Sequence, residues 1–265
     1  MPQDDYLREV SPAYNMAKMV DLYVPKDERV FGLTSIAQSY SSHEVLVDYE
    51  SAFNNLLSDM LNSGWVASAQ PRVLEKFKFP EQSASRIRLT LTSTGQPLEL
   101  WSVHELRFFY HGSELPRDAK WRLSAWPNPW DAQLAFDSSP VTRWRTWERP
   151  VPGDYLQVDF DGDRQIDEVR VERSWDQNPL AVVQTFNAQS GKWANLAKNP
   201  TASTVKPDPN IRRYASRELA LRGIHYVLML DTFPGAFDFR ADPEGWGLRE
   251  VAAGYGVRLY QVVQP

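Results

Sequence analysis

The sequence predicts an α/β domain built from both chain ends, with an all-β jelly-roll sandwich inserted between them. Three observations carry this. Both ends mix helical periodicity with short apolar runs, the middle alternates apolar and polar residues with a period of two, and turn-rich clusters punctuate that middle. The bounds read from these changes are 1–70 and 200–265 for the discontinuous domain and 71–199 for the insert.

Ser11 is a good helix N-cap and Pro12 suits the first helical position, so a helix is predicted to start there. Ala13, Met16, Ala17, Val20 and Val24 repeat at helical spacing until Pro25 stops them. Val30 to Leu33 and Val45 to Val47 read as short strands. Asp48 is placed to cap a second helix, in which Ala52, Phe53, Leu56, Leu57, Met60 and Leu61 form one apolar face. Asn62, Ser63 and Gly64 are expected to end it.

From Pro71 the period changes. Ile87, Leu89 and Leu91 alternate with Arg88 and Thr90, and Val103 to Tyr110 reads as another strand. Leu156, Val158 and Phe160 alternate, as do Val169 and Val171, and Val182 to Phe186 is an apolar run. Thr94-Gly95, Pro127-Asn128-Pro129, Pro152-Gly153 and Asp161-Gly162 are the dividing turns. The stretch DFDGDRQID invites a calcium-loop reading. Counted from Asp159, however, Gly162 is fourth and Arg170 twelfth, whereas an EF-hand needs Gly sixth and Glu twelfth. It reads as a hairpin turn. Ala197 to Asn210 reads as a polar linker.

Helical spacing returns at Tyr214, Ala215 and Leu219 and stops at Gly223. His225 to Leu230 is a continuous apolar run, as expected of a strand buried on both faces. Trp246 to Val251 and Val257 to Val262 read as a closing hairpin that turns near Gly254-Tyr255-Gly256.

Composition narrows the function classes. With 265 residues, 42% of them hydrophobic, the chain can bury more than one core. A net charge of −5 with scattered Lys and Arg argues against a nucleic-acid partner and against an anionic membrane surface. No apolar run reaches the ~20 residues that span a bilayer, and MPQDDYLREV lacks the character of a signal peptide. Met1 suits a native start and an excised segment alike. The absence of cysteine excludes disulfides, thiolate metal sites and a Cys nucleophile while leaving the compartment open. Nucleophile-elbow, zincin, dinucleotide and P-loop motifs are missing, and His43, His104, His111 and His225 share no ligand spacing. Thirty-four carboxylates guarantee chance pairs, so counting them identifies no glycosidase dyad. The chain is expected to be non-catalytic.

Leu123 to Phe160, LSAWPNPWDAQLAFDSSPVTRWRTWERPVPGDYLQVDF, is similar to the opening of discoidin domains, the coagulation factor 5/8 type C group with a galactose-binding-like fold. The family pattern Ala-x-Asp-Gly-x-x-x-Thr-x-Trp, followed by Leu-x-Val-Asp-Leu, is matched by Ala135, Asp137, Thr142 and Trp144, then Leu156, Val158, Asp159 and Phe160. Gln189 to Leu196 resembles a later strand end. The family's closing strands, Arg-Tyr-Ile-Arg-Leu and Trp-x-x-Glu-Leu, correspond to SRIRLTLT and WSVHELRFF, which here stand in front. The preferred reading is one circularly permuted domain, since sandwich termini commonly lie close together. The competing reading is two tandem discoidin-like domains. It needs strands ahead of Ser85, where the helix at Glu50 to Leu61 fits poorly, and closing strands after Lys198.

The ends carry a second resemblance. VDLYVPKDERVFGL and LALRGIHYVLML, WGLREV and GVRLYQV look like the soluble tail of bacterial membrane glycosyltransferases that use polyprenyl-phosphate sugars. This implies a periplasmic or extracellular accessory region, attached to a transmembrane part outside this chain. No catalytic carboxylate carries over.

The discoidin resemblance also implies a structural Ca²⁺, for which the matching residues are Glu105, Asp137 and Thr142. Asp137 is followed by Ser138 where the family has Gly. For a glycan ligand the candidates are the loop-borne Trp126, Trp130 and Trp147 with Arg145, because indole faces stack on sugars and guanidinium forks donate to hydroxyls. Trp144 matches the family's core tryptophan. In the plainer alternative these tryptophans pack loops, Asp137 caps a turn and Glu105 makes a surface ion pair. The expected function is glycan binding by an accessory region of a membrane glycosyltransferase. The alternatives are a free-standing carbohydrate-binding protein and a protein–protein interaction module.

Overall fold

The computed structural model describes residues 3–36, 38–94 and 99–263. Gly95 of the predicted Thr94-Gly95 turn lies outside them. The fold is sheet-rich, with an eight-stranded antiparallel sheet, a five-stranded mixed sheet and a two-stranded one, and no barrel among the described residues. The chain divides into two compact units, one made of Met1–Ala69 with Asp208–Pro265, the other of Gln70–Pro207.

Helix α1 (Gln3–Val10), which the sequence reading did not anticipate, precedes α2 (Pro12–Tyr23). Ser11 caps α2 by accepting a 3.2 Å hydrogen bond from the Tyr14 N–H. Strands β1 (Val30–Gly32) and β2 (Val45–Val47) follow, then α3 (Ala52–Ala69). The cap of α3 is Ser51, whose Oγ accepts from the Asn54 N–H at 3.1 Å. Asp48 instead stays with the strands, donating its N–H to the Gly32 carbonyl. The helix also runs through Asn62-Ser63-Gly64 where the sequence suggested an end. Gly64 serves close approach rather than termination: a Cβ there would lie 2.8 Å from the Trp246 ring and 2.9 Å from the Ala215 Cβ.

The middle segment contains β3 (Arg72–Ser93), β4 (Ser102–Val103), β5 (Glu105–Tyr110), β6 (Ser113–Glu114), β7 (Arg122–Trp126), β8 (Trp144–Arg145), β9 (Tyr155–Ser174), β10 (Leu180–Asn187), β11 (Lys192–Ala197) and β12 (Thr201–Val205). Strands β3 and β9 pair antiparallel from Arg72↔Ser174 to Thr90↔Tyr155. Near Arg72, β12 flanks β3 while β5 and then β6 flank β9. Near Thr90, β10 and then β11 flank β3 while β7 flanks β9. Two five-stranded sections therefore share the same two long strands. Their inward residues, among them Phe77, Ile87, Leu89, Phe108, Leu156, Val158, Val169 and Val183, form one core.

Three expectations about this segment are corrected. The hairpin predicted at Asp159–Asp167 is absent, because β9 continues straight through. Between the pairs Arg86↔Asp159 and Ala84↔Arg164, residues 160–163 stand opposite Ser85 alone, with Gly162 at φ +82. That is a bulge that re-aims the strand without reversing it. The supposed linker holds β12, which pairs with β3. The predicted Val103–Tyr110 strand breaks at His104, so that β4 pairs with β8 and β5 with β9.

The chain closes with α4 (Ile211–Leu221), β13 (Tyr226–Leu230), α5 (Ala236–Ala241), β14 (Leu248–Gly254) and β15 (Val257–Val262). The sheet order is β14-β15-β13-β1-β2, with β1 parallel to both β13 and β2. Strand β13 is central, which explains its unbroken apolar run, and Val227, Leu228 and Met229 are all buried. Trp246 stacks on Phe239 at 3.9 Å between centroids and donates its indole N–H to Asp238 at 2.9 Å. Asp238 in turn accepts two hydrogen bonds from Arg212. Among the described residues, no helix is long and apolar enough to cross a membrane.

Gly64→Ala is expected to destabilise the chain by about 1–3 kcal/mol, the usual cost of overpacking. A urea midpoint unchanged by the substitution would show that α3 and Trp246 do not approach this closely.

Candidate functional site

The loop between β7 and β8 is organised around buried Asn128. Trp144, fully buried, packs edge-on against Trp101 at 5.3 Å and donates its indole N–H to the Asn128 carbonyl at 2.7 Å. The Asn128 amide donates to the Asp131 carboxylate and to the Arg145 carbonyl, both at 2.9 Å. Asp131 also accepts the Trp147 indole N–H at 2.8 Å. The Arg145 guanidinium lies over the Trp147 ring, 4.0 Å from its centroid.

Trp147 holds φ +60, a costly conformation for a bulky side chain. Its buried neighbour Thr146 explains how it persists. The Thr146 N–H donates to the Trp101 carbonyl, while its hydroxyl accepts from the Trp101 N–H and donates to the Glu148 carbonyl. Trp147 remains 42% exposed.

Of the four sequence-predicted ligand residues, Arg145 and Trp147 are brought into contact. Trp126, 57% exposed, stands at the end of β7 opposite Tyr155. Trp130 is 79% exposed and makes no ring contact or hydrogen bond among the described residues. The sequence reading missed the anchoring residues Asn128 and Asp131, since PNPWD signalled only a turn.

The proposed cation ligands also converge. The Thr142 hydroxyl reaches both oxygens of the Asp137 carboxylate, at 2.8 and 2.9 Å, and the Ser139 N–H donates to it at 3.0 Å. Ser138 holds φ +58, so a serine adopts the left-handed conformation that the family's glycine would adopt freely. Glu105 is buried, at 4% exposure. Burial pushes its carboxyl up from an ordinary 4.5 to about 8; Arg107, 3.6 Å away, opposes this, and the charge of Asp137 adds to it. Two carboxylates and a hydroxyl from separate segments fit a hard divalent cation in donor type. Among the described residues, no group of three or more His, Asp or Glu is arranged to hold a metal.

His104, beside Glu105, is held well below the ordinary imidazole range by burial and then by the charges of Arg72 and Arg143. It is neutral and hydrogen-bonds the Ser174 hydroxyl at 3.1 Å. Of the other histidines, His43 is beside Asp21, His111 beside Glu81 and His225 beside Glu28.

Between pH 4.5 and about 8, Glu105 is protonated in the folded chain and ionised in the unfolded one. Folding takes up a proton there, so its contribution is fully present below pH 4.5 and is lost as pH rises towards about 8. Glu105→Gln should flatten that part of the stability profile measured by urea unfolding. Identical slopes in variant and parent would contradict the assignment.

No protein-family model matches the chain, and neither a curated protein nor a solved structure matches it.

Proposed function

We propose that the chain is a non-catalytic, extracytoplasmic accessory region that binds glycan through a permuted discoidin-like jelly roll within residues 70–207, carried by an α/β domain. The observation that carries this reading is strand adjacency. Segment Ile87–Leu89, which resembles a family closing strand, pairs directly with Leu156–Val158, which resembles an opening one. A permuted sandwich requires that adjacency. The stacked Arg145–Trp147 pair adds an aromatic ring and a cation on one loop, a suitable combination for sugar recognition. The resemblance of both ends to the tails of polyprenyl-phosphate-sugar enzymes favours a membrane glycosyltransferase as the parent protein, with periplasmic or extracellular placement.

Calcium, if bound, would be held by Glu105, Asp137 and Thr142 and would supply positive charge to the acid pair. The Glu105 proton must leave for the carboxylate to ligate, so affinity should rise with pH.

A glycan-binding screen with the whole chain tests the reading. Trp147→Ala should weaken binding of the best glycan roughly tenfold, equivalent to about 1.4 kcal/mol. Calcium should raise the melting temperature more at pH 8.5 than at pH 6. Flat responses to every glycan would instead favour the protein-interaction alternative.

A further inference from the structure

The outer face of the β11-β10-β3-β9-β7 section is not an ordinary solvated sheet surface. Its cross-strand register sets Trp126 beside Tyr155, and Ser124 beside Gln157, Arg88, Gln184 and Asn195. We infer that this face is a platform for an acidic saccharide chain, one bearing uronate carboxylates or sulfate esters, with Arg88 as its anion-binding centre. The inference rests on the glycan-binding reading and narrows its ligand class.

Arg88 carries the argument. Its Nε donates to the Gln184 side-chain oxygen at 2.6 Å, which spends one donor on orientation. Gln184 is itself fixed, accepting from the Thr90 hydroxyl at 2.9 Å and donating to Asn195 at 2.7 Å. The guanidinium lies over the Trp193 ring, 4.0 Å from its centroid, and 5.8 Å from the centroid of Tyr155. Both terminal Nη groups are left without an acceptor among the described residues, and no carboxylate pairs with them. Burial depresses the Arg88 pKa, and the nearby Tyr155 opposes the shift. A planar fork held rigid with its outer donors open suits a carboxylate or a sulfate, which accepts two parallel N–H bonds.

The surroundings agree in charge. Among the described register partners, Arg86, Arg88 and Arg122 share this face with Asp159, which Arg86 pairs at 2.9 Å. These three guanidiniums against Asp159 belong to a chain of net charge −5. Five strands at about 4.8 Å spacing span ~19 Å, with Trp126 at one edge and Trp193 at the other. Aromatic ends with a cationic centre favour an extended anionic sugar chain over a small ion, which would need no rings.

Isothermal titration of the whole chain with polygalacturonate, a sulfated galactan and a neutral galactan tests this. We expect the two acidic polymers to bind more tightly than the neutral one, with affinity falling as salt rises from 50 to about 300 mM. Arg88→Gln should weaken acidic-glycan binding roughly tenfold or more, the scale of one lost charge-assisted hydrogen bond. Arg88→Lys should recover part of it, with circular dichroism confirming both variants folded. Preference for the neutral polymer, lost in Trp147→Ala, would overturn this inference but leave the glycan-binding reading intact. Acidic binding indifferent to Arg88→Gln would overturn it too, and no binding to any polymer would overturn both.

Discussion

The antiparallel pairing of β3 with β9 is the constraint on which the residue 70–207 unit depends. Strands β5, β7, β10 and β12 each attach to one of these two, and β6 and β11 attach through β5 and β10. Period-two alternation makes the pairing serve two purposes. Ile87 and Leu89 face inward with Leu156 and Val158, and the intervening Arg86, Arg88, Gln157 and Asp159 face outward. A slip of one residue would put Arg88 into the core and Leu89 into water, so the hydrophobic effect fixes the register of the polar face as well. The outer cation cluster is positioned by the same burial that holds the core together.

Two loops of this unit hold strained backbone beside candidate residues. Trp147 and Ser138 both hold left-handed backbone conformations, and each lies at or beside a residue with a candidate role. Such conformations persist only where surrounding contacts over-determine them. At Trp147 those contacts come from Thr146 and Asp131; at Ser138 they come from the Asp137 carboxylate, which the Thr142 hydroxyl and Ser139 N–H hold in place. The buried carboxyl of Glu105 is the electrostatic counterpart, a group whose charge the fold suppresses near neutral pH.

Much of the secondary structure was legible in the sequence wherever local chemistry decides the outcome. The Ser11 cap, the buried run ending at Leu230 and the final hairpin are of this kind. The misreadings share a cause: a distant partner overrode a local signal. Asp161-Gly162 is a good turn pair, yet both sides of it had β3 to pair with, so it became a bulge. Glycine commonly ends helices, but Gly64 here admits the Trp246 ring. Thr201–Val205 is exposed along most of its length, with only Ala202 and Val205 apolar, too little to announce a strand, and its partner lies more than a hundred residues away. For the candidate site, residue types pointed to Arg145 and Trp147, but Asn128 and Asp131 gain meaning only from hydrogen bonds across the loop. The Arg88 face was visible as alternation and invisible as a cluster, because register rather than spacing assembles it.

Native-state hydrogen exchange tests the central role of the β3–β9 pair most directly. The amides of Ile87, Leu89, Leu156 and Val158 lie in strands paired on both sides, so they should exchange only through global opening of their unit, more slowly than those of β11 at the sheet edge. Exchange at these four positions as fast as at Trp193 and Asn195 would contradict the account.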